Sequence, residues 1–136
     1  LLYPKNSKYF NPDVPISITT AISEAQECFK IKAFTASVII SRKILDGICD
    51  LEGIKSSNLN DSLKKLRDKG IIDSRLYEWA DQLRLSGNEA AHDIKIEFSE
   101  EDTKDILDFT IAILDYIYSF KNKFETFKSR RGLNKK

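Results

Sequence analysis

Apolar residues recur along this chain every three or four positions rather than every two, a period that predicts helices almost throughout. From Ile16 to about Lys30 the step is kept by Ile18, Ile22, Ala25 or Gln26, and Phe29, behind a Pro15 suited to a helical first turn. From about Ala33 to Leu51, Phe34, Val38, Leu45 and Cys49 lie beside Ala36, Ile40, Ile44, Ile48 and Leu51. That apolar arc is the widest in the chain and predicts the central helix of a bundle, with Arg42, Asp46 and Asp50 on its polar edge. Gly53 ends it, and Lys55 to Asn60 reads as a loop. Asp61 or Asn60 then caps a short helix carrying Leu63 and Leu66, which Gly70 closes.

Asp73 or Ser74 caps a fourth helix, whose apolar line runs through Leu76, Ala80, Leu83, Gly87 and Ala90 or Ala91. After a short connection at Asp93 to Phe98, Ser99 and Asp102 form a capping box. The last long helix follows, through Ile106, Leu107, Thr110, Ile113, Leu114 and Ile117, to about Phe124 or Phe127. Strand-like alternation is confined to Ile94-Lys95-Ile96-Glu97-Phe98. The expected fold is all-α, a four- to five-helix antiparallel up-and-down bundle. It is expected to span residues 16–127, after an irregular lead-in over 1–15 that holds all three prolines and before a basic flexible tail over 128–136.

At 136 residues the chain suffices for one domain with its own core. No apolar run approaches the roughly 18 residues of a membrane helix, so no membrane partner is expected. Cys28 and Cys49 stand far apart within apolar helical patterns, which excludes structural zinc within the chain and predicts reduced thiols in a cytoplasmic protein. Position 1 is leucine, methionine is absent and no secretory signal opens the sequence. A domain of a longer protein is therefore expected, with an upstream domain or a protein partner outside this chain. The net charge of +1 hides an asymmetry: Lys121 to Lys136 carries seven basic residues against Glu125, leaving the first 120 residues at about −5. Lys128, Arg130 and Arg131 of that tail are candidate contacts to nucleic acid, acting through counterion release.

The chemistry concentrates on the fourth helix. Arg84, Asn88 and His92 stand four residues apart, so they form a polar stripe on the shoulder of its apolar face, and His92 is the sole histidine. Its structural reading is a cap on the last carbonyls of the helix. Gly87 sits near the middle of the apolar face, where glycine costs roughly 1 kcal/mol against alanine, so close approach of another helix or a ligand is expected there. No glycine-rich phosphate loop, metal-ligand cluster or Ser/His/Asp arrangement is found, and no metal or cofactor is expected.

Gly87-Asn88-Glu89-Ala90-Ala91-His92 resembles the signature of the higher eukaryotes and prokaryotes nucleotide-binding (HEPN) superfamily, with Gly87 where those domains carry the arginine of an Arg-x4–6-His motif. The resemblance implies a helical bundle that pairs as a homodimer and, in active members, a metal-independent ribonuclease. The chain is more closely similar to an HEPN-like family of unknown function numbered 4145. That family's pattern matches Tyr3-Pro4, the step from Arg42 to Asp46, and Gly87 to His92. It occurs in bacterial proteins, some with restriction-endonuclease parts, which implies a defence or restriction-linked setting.

Metal-free RNA cleavage needs a base, an acid and a cation beside the phosphate. His92 suits the first two roles. Arg84 lies about 12 Å from it along a straight helix, and Arg42 depends on how the central helix packs and on its own pairing with Asp46. Three readings follow: a non-catalytic HEPN-like module for dimerisation and RNA or partner binding through Arg42, Asp46, Arg84, Gly87, Asn88 and His92; an active endoribonuclease using His92 with Arg84 or Arg42; or a purely structural interaction bundle. Gly87 argues against the second and the clustered polar stripe against the third. Small residues at Gly87 and Ala91 place the expected dimer face on this helix.

Overall fold

Pro15 precedes the first helix without donating, and the helix begins at the next residue. In the computed structural model, which describes residues 9–132, α1 spans Ile16–Lys30 and α2 Phe34–Leu51. The turn between them is closed by the Ala33 amide donating to the Cys28 carbonyl at 2.8 Å. α3 spans Leu59–Asp68 and α4 Ser74–His92. α5 runs Glu100–Leu114 and passes through a π-helical segment, Asp115–Phe120, into α6, Lys121–Arg131. The described residues are all helix and connection, compatible with a helical bundle, and Ile94–Phe98 forms no strand.

α2 is the hub, packing against α1, α3, α4 and α5. Its buried residues include Ser37 and Ser41 beside Val38, Ile44, Leu45, Ile48 and Cys49. The two serines are not part of the apolar pattern, yet they suit the interior because each hydroxyl has a carbonyl acceptor. Ser37 donates to Ala25 of α1 at 2.9 Å and Ser41 donates to Ser37 at 3.0 Å. α4 lies against α2, α3 and α5, with Trp79 stacked on Phe109 at 5.5 Å.

Three expectations need correction, and the lead-in gains a role. The α3 cap is Asn58, whose Oδ1 accepts from the Asp61 amide at 2.8 Å, so the helix starts earlier than Asn60 or Asp61 would allow. The lead-in is irregular but built into the core over its described part. Tyr9 and Val14 are buried, the Tyr9 hydroxyl donates to Asp115 at 3.0 Å, and its amide donates to Gln26 at 3.0 Å. The last helix runs through a π turn that the apolar period did not reveal. It continues past Phe127 to Arg131, where Gly132 terminates it at φ +73. Lys128, Arg130 and Arg131 therefore stand on a helix rather than in a flexible tail. Tyr3-Pro4 and the basic residues Lys135 and Lys136 lie outside the described residues.

Candidate functional site

Four of the singled-out residues meet at one point, where α2 crosses α4. Gly87 is buried there. A Cβ at this position would come within 2.4 Å of Arg42 Cβ, 2.7 Å of its Cδ and 2.8 Å of its Cγ. The space that glycine leaves is thus filled by the aliphatic stem of Arg42. The guanidinium beyond that stem is held at two atoms: Nε donates to Asn88 Oδ1 at 2.8 Å, and Nη1 donates to Asp46 Oδ2 at 2.9 Å. Arg42 and Asp46 are a helical i,i+4 pair, and Asn88 follows Gly87 directly, so α2 and α4 each supply one acceptor. The Arg42 side chain keeps 27 % of its exposure. The result is a clamp that fixes the helix crossing and holds one cation half-buried beside a carboxylate.

The stripe of Arg84, Asn88 and His92 does not converge. Arg84 turns toward its own helix and pairs with Asp81 at 2.8 Å. Asn88 faces Arg42. His92 is exposed at the end of α4 and makes no side-chain hydrogen bond among the described residues. It does not cap the helix either: the closing bond there is the Asp93 amide donating to Glu89 at 2.9 Å. The small size of Gly87 is used within the chain, where Arg42 packs against it, while Ala91 on the same helix is exposed.

Two features escaped the reading of the sequence. Asp81, three residues before Arg84, was detectable as an i,i+3 partner. The second is a run of exposed rings on the last helix, with Phe120 59 %, Phe124 57 % and Phe127 42 % exposed. Their spacing of four and three residues was visible as a helical stripe, but only the structure reveals that, among the described helices, none but the adjoining π segment touches α6. At the opposite chemical extreme, burial pushes the Cys49 thiol up to about 12, helped by Asp46, Asp50 and Glu52. That thiol is an inert core group rather than a nucleophile.

No described helix is long and apolar enough to cross a membrane. A family model described as Domain of unknown function (DUF4145) matches residues 23–130, a span that contains the clamp, the stripe and nearly all of α6. No curated protein and no solved structure matches the chain.

Proposed function

This chain belongs to the domain-of-unknown-function family whose model spans most of it, and on that premise we propose that it is a non-catalytic, HEPN-like module of antiparallel up-and-down helices. In this reading it pairs with a second copy and binds RNA or a protein partner within a bacterial defence or restriction-linked protein. Its free thiols, Cys28 and Cys49, suit the reducing cytoplasm. The observation that carries the reading is the engagement of Arg42. Its charge is matched by Asp46, its Nε is taken by Asn88 and its stem fills the notch at Gly87. A catalytic arginine must present its charge to a phosphate as negative charge develops there. Arg84 is likewise matched, by Asp81. His92 is thereby left without a free cation among the residues singled out as its helpers, and a lone exposed imidazole supplies only proton transfer.

The test is incubation of the protein with single-stranded RNA in the presence of EDTA, beside a His92→Ala variant. The two are expected to leave the RNA equally intact. Metal-free cleavage by the wild type that disappears in His92→Ala would overturn the reading in favour of an endoribonuclease.

A further inference from the structure

α6 meets the rest of the described chain only along open clefts, where Phe124 lies across from Gly70 and Ile71 and Phe127 across from Asp13. It touches the π segment that leads into it and no other described element, and none of its residues is buried. An isolated helix of this length is marginal in water, so a helix held out with three exposed phenylalanines invites a covering surface. The rings are flanked by cations: Lys128 Nζ lies 4.9 Å from the Phe124 ring and the Arg130 guanidinium 5.5 Å from that of Phe127. A fitting surface is an apolar groove with an acidic rim.

The same chain carries such a groove. Leu83 of α4, Phe98, and Ile106 and Phe109 of α5 line a cleft of about 300 Å³ together with the polar Gln82 and Ser86 and the acidic Asp102 and Asp105. Glu100 and Glu101 extend the acidic edge through the first turn of α5. Groove and stripe occupy the two ends of one continuous helical rod, and Tyr116, itself partly exposed, lies between them. Asp105 and Phe127 stand equally far in sequence from Tyr116, on either side, and so do Asp102 and Arg130.

We propose that two copies pair reciprocally about a two-fold axis passing near Tyr116, the α6 aromatic stripe of each lying in the α4–α5 groove of the other. Two antiparallel rods in this register bring Phe127 beside Asp105 and Arg130 beside Asp102, twice over, so the contact closes on itself as a dimer rather than propagating. The charge asymmetry of the chain becomes the complementarity of the interface, basic end against acidic end. The inference rests on the pairing in the reading above and gives that pairing a surface.

Sedimentation velocity on the full chain at tens of micromolar is expected to give twice the chain mass. Phe124→Asp with Phe127→Asp removes the anchors without touching a buried residue, and self-association is expected to weaken about thirtyfold or more. Asp102→Arg alone and Arg130→Asp alone are each expected to weaken it about tenfold. An equimolar mixture of those two variants is expected to regain wild-type association, because the heterodimer pairs the two arginines with the two aspartates, a rescue that a misfolded variant would not give. A wild type that remains monomeric at 100 µM overturns the pairing itself, as does a monomer whose stripe instead captures a labelled oligoribonucleotide or anionic vesicles. A dimer indifferent to the Phe124/Phe127 variant, or a mixture without rescue, leaves pairing standing and overturns this surface.

Discussion

Glycine within a helix forgoes roughly 1 kcal/mol relative to alanine, and at Gly87 that loss is offset by the packing of Arg42 across the α2–α4 crossing. Gly87→Ala sets the gain in helix propensity against a methyl lying 2.4 Å from Arg42 Cβ, an atom fixed to the α2 backbone and unable to swing aside. Overpacking of this kind costs about 1–3 kcal/mol, so after the roughly 1 kcal/mol regained in propensity a net loss of stability of up to about 2 kcal/mol is expected. A urea midpoint equal to or above that of the wild type would show that the helices separate without cost. The need for close approach at Gly87 was readable from the sequence, since a glycine on an apolar face has few other uses. That Arg42 fills the space was not, because the two residues come from helices far apart in the chain and local periodicity says nothing of which helices cross. The same limit explains the stripe. Spacing placed Arg84, Asn88 and His92 on one shoulder of α4, whereas each side chain's direction is decided by the nearest partner, Asp81 for Arg84 and Arg42 for Asn88.

Among the elements, the π segment Asp115–Phe120 is where the helical period slips and where the lead-in is tied down. A π turn widens the helix, sets the residues after it on a new phase and is commonly retained for a reason. Here its polar residues Asp115 and Ser119 are held from outside the helix: Tyr9 Oη and Asn11 Nδ2 donate to Asp115, at 3.0 and 3.1 Å, and Asn11 also donates to Ser119. Hydrogen bonds to a charged acceptor contribute about 1.5–3 kcal/mol. Asn11→Ala is expected to lower stability by about 1–2 kcal/mol. It should also speed amide hydrogen exchange in residues 115–121, with little change at the α1–α2 contact. Uniform acceleration across the chain, or none, would sink the idea that Asn11 pins this turn. Helix number and most boundaries were legible, because caps and apolar spacing are local; α1 begins and ends where its pattern does. The π turn was not legible, since its polar partners lie about a hundred residues away in the chain. Nor was the continuation of α6 past Phe127, since Lys128 to Arg131 holds no apolar residue to mark a further turn and the helix ends only at Gly132.

Across the molecule, the end of α2 and the π segment bury two weak acids close together. Tyr118 is pushed from 10.0 to about 12, first by burial and then by Glu52 and Cys49, and its hydroxyl has no hydrogen-bond partner among the described residues. Cys49 is pushed from 9.0 to about 12, first by burial and then by Asp46, Asp50 and Glu52. Both groups are neutral at pH 7 in the folded and unfolded chain, so they exact nothing there through ionisation. Above about pH 9 the unfolded chain begins to lose the Cys49 proton while the folded chain keeps it, and above about pH 10 the same holds for Tyr118. The unfolded state then binds fewer protons than the native one, and unfolding becomes easier with each step in pH. Stability is therefore expected to hold below about pH 9 and to fall between about pH 9 and 12, where ordinary and folded-state values part. Chemical denaturation of the whole chain at about pH 8 and about pH 10.5 measures this, with Cys49→Ala and Tyr118→Phe as controls for the general effect of lysine deprotonation. Each variant should flatten the alkaline decline, and Tyr118→Phe should also match or exceed the wild type at neutral pH, because it removes a buried hydroxyl that has no partner among the described residues. A decline of the same depth in the double variant would move its origin to the surface ion pairs and away from this buried pair.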